Sequence, residues 1–518
     1  MTGTGVRVDR VDTGPWAAPV TGAIARAPAV TQEEVRRHNL GVLLSLLHVR
    51  GPASRAELTA LSGLNRSTVR ALITELADAG LVSEAAPVGR GGAGRPSILV
   101  EPRSEAVWAL AVDIGVEHLS AARVGLGGVV LDRREGRQPR GDGGVLQVLD
   151  RVRALVEPLL ATATTDPVGI GVAVPGMVGG PGQLVRLAPN LGWVDVPLGL
   201  LLGAQLRSTL PVAVGNEGDL GVMAEHLRGV AADASDAIFL TGEVGLGAGV
   251  IVGGRPLTGA GGYAGEVGHM SVNPGAGRLC RCGRRGCWET EVGADAVLRA
   301  LGAPAESTAE EILAASADGS RTAKAAVRRI GRWLGVGVAN LVNLFNPEVV
   351  VFGGLTRTLF PVLEPYVRAE LAAALTAPRD QVRLELPGLG ADAVLLALGA
   401  PAGSTAEEIL AATADGSRAA KAGVRRIGRW LGVGVANLVN LFNPEVVVFG
   451  GLTRTLFPVL EPYVRAELAA ALTAPRDQVR LELPGLGADS SLLGAAELAF
   501  APLLTDPLGS RLALPDPA

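Results

Sequence analysis

Tyr263-Ala264-Gly265-Glu266-Val267-Gly268-His269 and, after ten intervening residues, Cys280-Arg281-Cys282-Gly283-Arg284-Arg285-Gly286-Cys287-Trp288-Glu289 hold the most constrained chemistry of this 518-residue chain. All three cysteines of the protein fall within these eight positions, Cys280 to Cys287. A secreted disulfide framework instead spreads an even number of cysteines along its sequence. Metal ligation is therefore the leading reading, with reduced structural cysteines as the alternative. Joined by His269, the cysteines make a Cys3His set of soft and borderline donors with no open position. Such a set suits a structural Zn2+ held by His269, Cys280, Cys282 and Cys287.

Outward from this stretch, short apolar runs alternate with glycine turns and helical patterns. The runs are Val107 to Ile114, Val168 to Val174, Val212 to Val214, Ala237 to Leu240 and Gly247 to Val252. Buried strands read as near-continuous hydrophobic segments, so the pattern predicts an α/β fold. Downstream lies a duplication: Gly293-Ala294-Asp295-Ala296-Val297-Leu298 returns 97 residues later at Gly390 to Leu395. Segments 293–389 and 390–486 differ only at Arg299/Leu396, Glu306/Gly403, Ser316/Thr413, Thr322/Ala419 and Ala326/Gly423. So few differences point to a recent copying event or a gene-assembly error, not to a solenoid, whose units are shorter and more numerous. Each copy carries a Glu-Val-Val-Val-Phe strand, within Pro347 to Gly354 or Pro444 to Gly451, for which a parallel sheet has one slot. The surplus copy is expected to pack loosely, swap into a neighbouring subunit or lower solubility.

Towards the N-terminus, Met1 to Val30 is rich in Gly, Pro, Thr and Ala and reads as a disordered tail. From Thr31 the pattern changes. Thr31 and Glu34 form a capping box ahead of Val35, Leu40, Leu43, Leu44 and Leu47, which predicts an amphipathic helix to about Val49. A second box, Ser54 to Glu57, opens a short helix ending at Ser62-Gly63. Asn65 or Ser67 then caps another through Leu72, Leu76 and Ala79 to Gly80. Leu81-Val82 and Ser97 to Val100 read as strands flanking the Gly/Arg-rich segment Gly89 to Pro96. These elements predict a winged helix-turn-helix over residues 31–102, followed by a second domain over 103–518. Its recognition helix would present Arg66, Ser67, Thr68 and Arg70 to base edges, and its wing would present Arg90 and Arg95 to a groove or the backbone.

The net charge of -4 argues against wholesale basic binding of nucleic acid, but the charge is unevenly placed. Residues 31–100 hold eight Arg, no Lys and six acidic residues, a local +2 that leaves -6 for the rest. A winged helix used for protein contacts is the competing reading of that segment. The length predicts two or more domains. No apolar run approaches the eighteen or so residues of a membrane span, and the N-terminus does not look like a secretory signal, so a cytoplasmic protein without membrane partners is expected.

Gly245-Leu246-Gly247-Ala248-Gly249-Val250, Gly265 to His269 and the C-x-C-G-x-x-G-C-x-E motif ending at Glu289 together resemble the ROK family of repressors, open reading frames and sugar kinases. The resemblance runs from Thr31 nearly to the end, with one duplicated unit supernumerary, and is nearest to regulators of the xylose and N-acetylglucosamine repressor type. It implies two ribonuclease-H-like lobes, as in actin and hexokinase, with sugar and nucleotide meeting in the cleft. The implied sugar contacts are Asn190, Asn216, Glu217, Glu266, His269 and Glu289. Carboxylates and amides match vicinal hydroxyls, and His269 would face sugar with one ring nitrogen and zinc with the other.

Two departures from the kinase pattern imply a lost enzyme. The catalytic base position carries Glu217 where active members have Asp, and a carboxylate misplaced by about 1 Å costs about 100-fold in rate. The phosphate loop reads Asp113-Ile114-Gly115-Val116-Glu117, which replaces a glycine with a branched residue and adds an anion. A second phosphate-loop resemblance, Thr241 to Gly247, keeps its glycines, which serve strand-to-strand turns about as often. The resemblance thus implies a sugar-responsive repressor of carbohydrate genes that binds operator DNA and a sugar or sugar-phosphate effector. A homodimer or homotetramer is implied with it. The alternative is an ATP-dependent sugar kinase with an attached DNA-binding head.

Overall fold

A computed structural model of the protein describes residues 31–85, 98–139, 144–179, 183–242, 244–259, 262–305, 307–374, 421–429, 431–432, 434, 459–463, 480–482 and 489–508. The expected tail, the wing arginines Arg90 and Arg95, and most of the second duplicated segment lie outside the described residues. The chain divides into two compact units, Met1–Ala234 with Leu483–Ala518, and Ser235–Glu482. Among the described residues, no helix is long and apolar enough to cross a membrane.

The first unit begins with three helices, α1 (Gln32–Arg50), α2 (Arg55–Ser62) and α3 (Arg66–Asp78). Local chemistry fixes their starts. Thr31 and Ser54 each close a capping box with Glu34 and Glu57, and Asn65, not Ser67, caps α3 by accepting from the Thr68 amide. Gly63 ends α2 at φ +70°, a left-handed conformation that glycine adopts without a Cβ clash. Strands β1 (Ala53–Ser54), β2 (Val82–Ala85) and β3 (Leu99–Pro102) form an antiparallel sheet in the order β1-β3-β2. This is the winged arrangement. Strands β2 and β3 start a residue or two later than the apolar pattern suggests, because pairing with each other, not hydrophobicity, sets their register.

The rest of this unit is a mixed sheet in the order β11-β7-β4-β5-β6: β4 (Trp108–Ile114), β5 (His118–Gly125), β6 (Val129–Arg137), β7 (Ile170–Val174) and β11 (Val212–Asn216). β4, β5 and β6 pair antiparallel, whereas β4, β7 and β11 pair parallel. Helices α4 (Val145–Ala161), α5 (Leu198–Leu206) and α6 (Glu217–Arg228) belong to it, as does a small sheet of β8 (Met177–Gly179), β9 (Leu184–Ala188) and β10 (Trp193–Val196). The C-terminal helix α12 (Ser490–Thr505) returns to this unit. Leu40, Leu43, Leu44 and Leu47 of α1 share one apolar core with Leu492, Leu493, Phe500 and Leu503 of α12 and with Leu220 and Met223 of α6. Each fully buried leucine contributes roughly 1.5–3 kcal/mol. The winged helix is therefore packed on the lobe, not hung from it. Gly41 permits the close approach, since a Cβ there would meet the Leu504 carbonyl oxygen at 2.6 Å.

The second unit repeats the mixed-sheet plan in the order β14-β13-β12-β15-β16. Its strands are β12 (Ala237–Gly242), β13 (Leu246–Val252), β14 (Arg255–Pro256), β15 (Val349–Gly353) and β16 (Arg480–Glu482), and its helices are α7 (Trp288–Val292), α8 (Ala294–Leu301), α9 (Ala309–Ala317), α10 (Arg321–Phe345) and α11 (Gly354–Ala374). The duplication is legible in this sheet. The first copy supplies β15, wholly buried between β12 and β16, while the second copy supplies the parallel edge strand β16. Two near-identical units thus build one sheet between them. Residues 421–429 and 459–463 of the second copy repeat the packing of α10 on α11. A Cβ on Gly428 would meet Tyr463 Cβ at 2.5 Å, as one on Gly331 would meet Tyr366 Cβ at 2.7 Å.

Candidate functional site

In the second unit, a 3-10 turn over Val267–His269 and the N-terminus of α7 bring the cysteine and histidine side chains together. Ligand atoms of His269, Cys280, Cys282 and Cys287 all lie within 4.8 Å of one another. Ligands about 2.3 Å from a tetrahedral ion stand about 3.7 Å apart. The Cys282 to Cys287 sulfur separation is 3.6 Å, and Cys280 Sγ lies 3.7 Å from His269 Nδ1. The arrangement can hold a metal ion. Cys280 and Cys287 are buried, Cys282 is exposed, and Gly283 turns the loop at φ +89° so that its amide reaches the Cys280 carbonyl.

Electrostatics favours a cation there. Burial opposes charge on His269, but hydrogen bonds to Cys282 and Cys287 and the carboxylates of Glu289 and Glu266 outweigh it and push its pKa up to about 11. The thiols interact so closely that Cys280 is pushed up while Cys282 is held down. Burial also pushes the Glu266 carboxyl up, although His269 pulls the other way.

The expected sugar-contacting residues of this unit gather around the same imidazole. Glu266 lies 3.9 Å from His269 Nε2, and Glu289 lies 3.6 Å from Nδ1. The ring thus turns Nδ1 to the sulfur cluster and Nε2 to Glu266. Glu289 also accepts from the Cys280 thiol at 2.8 Å. The sequence reading missed Glu291, two residues further along α7. It is 1% exposed and takes hydrogen bonds from Asn273 and Arg329, both at 3.1 Å, which anchors the loop leading to the cysteines. Two acids two apart on one short helix must face different ways, which is the signal that one of them is internal.

In the first unit, Asn216 is the N-cap of α6 and Glu217 its first residue. The Asn216 side chain accepts from the Gly218 and Asp219 amides and donates to the Gly176 carbonyl at 2.8 Å. At most one N–H of that amide remains for a ligand hydroxyl. Asn190, half-buried, follows β9, whose end abuts the same Gly176.

Both phosphate-loop resemblances are hairpins. Gly115 turns β4 into β5, with its amide donating to the His118 carbonyl at 3.0 Å. The His118 ring lies over Gly115, where any added Cβ would collide with it, and its Nε2 is 3.3 Å from Asp113. Val116 is buried. Thr241 and Gly242 pair antiparallel with Gly247 and Leu246, so those glycines serve a strand-to-strand turn. In the helix-turn-helix, Arg66, Ser67 and Arg70 are exposed on α3 and Thr68 is half-buried, while Val69, Leu72, Ile73 and Leu76 face the core.

The chain belongs to the ROK family, whose model matches residues 109–400 and again 389–501. The two matches overlap inside the duplicated region, so the family pattern is met with one repeat unit too many. The xylose repressor of Caldicellulosiruptor bescii is 32% identical over 318 residues, 58% of this chain and 78% of that protein. The glucokinase of Halalkalibacterium halodurans is 30% identical over 305 residues, 55% of this chain and 92% of its own. A crystal structure of a ROK family transcriptional regulator, described as a homologue of the E. coli MLC protein, superposes with a TM-score of 0.58. It covers 92% of this chain and 98% of that one at 22% identity, a likeness of fold.

Proposed function

We propose that the protein is a sugar-responsive, DNA-binding transcriptional repressor of carbohydrate uptake or catabolism genes. The observation that carries this reading is α3. Its first turn, capped by Asn65, offers Arg66, Ser67 and Arg70 to solvent, on a winged helix that shares one core with a sugar-kinase-like lobe. A helix N-terminus bearing donors and acceptors is what a major groove reads. Thr68 joins these residues in recognition, with Arg90 and Arg95 of the wing as backbone contacts, over a DNA-binding domain of residues 31–102. A homodimer or homotetramer fits two-fold operators.

The effector is a sugar or sugar phosphate, for which the first unit offers Asn190, Asn216 and Glu217 and the second offers Glu266, His269 and Glu289. Cys3His donors with tetrahedral edges suit a structural Zn2+ on His269 Nδ1, Cys280, Cys282 and Cys287, which fixes the imidazole so that Nε2 serves the sugar. Loss of phosphoryl transfer is supported by Glu217 in the base position and by His118 lying over Gly115, where backbone would have to meet a phosphate. A sugar kinase with a regulatory head is the alternative.

Fluorescence polarisation with DNA from upstream of the protein's own gene tests the reading. Arg66→Ala and Arg70→Ala should each weaken binding by about 5- to 100-fold, the range of one lost base contact. Unchanged binding in both variants would contradict it.

A further inference from the structure

His48, Glu497 and Arg228 are drawn from α1, α12 and α6 and meet inside the first unit. His48 is fully buried and Glu497 is 4% exposed. The Gly127 amide donates to His48 Nδ1 at 2.9 Å, which places the ring hydrogen on Nε2, and Nε2 donates to Glu497 at 2.7 Å. Arg228 Nε donates to the other Glu497 oxygen at 2.6 Å, and its Nη1 reaches the carbonyls of His48 at 2.7 Å and Gly127 at 3.1 Å. The guanidinium lies flush on Gly128, held at φ +78°, where a Cβ would come within 2.7 Å of Cζ. Phe500 packs on the His48 ring at 4.9 Å between centroids.

Arg228 is the last residue of α6, and Asn216 and Glu217 stand at the start of that same helix. Twelve helical residues span about 18 Å and move as a rod. Apolar packing along α1 tolerates small slides, but a guanidinium held by three acceptors on three other segments does not, because hydrogen bonds weaken steeply with misalignment. We propose that the His48–Glu497–Arg228 cluster is the joint through which sugar at Asn216 and Glu217 acts on the winged helix, with α6 as the lever. This rests on the sugar-binding reading of those two residues.

Hydrogen exchange on the full-length protein tests the joint, with D-xylose, D-glucose and N-acetyl-D-glucosamine as probes and calorimetry reporting their binding. In the native protein the bound sugar should slow exchange in 217–228 and change it in 31–85 by about fivefold or more. Arg228→Lys keeps the charge beside Glu497 but gathers its donors on one nitrogen, without the planar fork that reaches Glu497 through Nε and the two carbonyls through Nη1. It should bind sugar within about twofold of the parent and keep the response of 217–228, while losing that of 31–85. Glu497→Gln should behave likewise. Leu503→Ala loosens the same core without touching the joint and should keep both responses, which separates the joint from mere destabilisation. A full 31–85 response in folded Arg228→Lys, or sugar binding to the native protein without that response, would overturn the joint and leave the sugar reading standing. Absence of binding by all three probes would overturn the sugar reading and the joint together.

Discussion

Gly337 of α10 lies against the indole of Trp288, and a Cβ at that position would overlap ring atoms Cε2, Cζ2 and Cδ2. Trp288 precedes the duplication and occurs once, whereas Gly337 recurs as Gly434. Only one copy can stand beside the tryptophan. The Trp288 Nε1 bond to the Trp333 carbonyl, at 2.8 Å, assigns that place to the first copy.

Gly337→Ala should therefore destabilise the protein by about 1–3 kcal/mol, the cost of overpacking, partly offset by alanine's better helix propensity. Gly434→Ala should leave thermal unfolding unchanged. The reverse pattern would show that the second copy fills the slot.

Deleting Gly293 to Leu389 should leave a folded protein of ordinary family length, because the second copy differs from the first at only five positions and already supplies β16. Circular dichroism and gel filtration of the deleted chain check this. Failure to fold would mean that both copies are needed.

Removing metal should loosen the second unit. Elemental analysis should find about one zinc per chain, and a chelator should lower the unfolding temperature until zinc is restored. Cys287→Ser should abolish the metal and weaken sugar binding too, since the His269 ring loses one of its two anchors. Full sugar affinity in a metal-free variant would separate the two roles.

Glu497 gives the acid limb of stability a defined sign. Burial alone would raise its pKa, but His48 and Arg228 outweigh burial and hold it below the ordinary 4.5. A depressed carboxyl adds stability that is complete above the unfolded value and lost as pH falls through the folded one. Urea midpoints should therefore drop below about pH 4.5. Glu497→Gln should start less stable, because Arg228 keeps a buried charge without its carboxylate, and should lose part of that slope. An unchanged slope would contradict the assignment.

Local chemistry made much of this legible. Thr31 with Glu34, Ser54 with Glu57, and Asn65 announce three helix starts within a few residues each, and Cys280, Cys282 and Cys287 with His269 announce a cluster that could hold a metal ion. Long-range relations were not legible. The helical spacing of Leu40, Leu44 and His48 puts that imidazole on the buried face of α1, but its partner Glu497 lies 449 positions away and nothing local names it. Strands β5, β6, β9 and β10 mix polar and apolar residues and β8 is three residues long, so only their pairing identifies them. Near-identical copies carry no sequence signal for which one a sheet will accept; Trp288, outside both, decides it.

The most direct test of the central claim combines operator binding and ATP turnover in one preparation. DNA upstream of the gene should bind, one of D-xylose, D-glucose or N-acetyl-D-glucosamine should change that affinity by about fivefold or more, and none should stimulate ATP consumption. Sugar-dependent ATP turnover at about 1–100 per second, ordinary for kinases, without sugar-sensitive DNA binding, would contradict it.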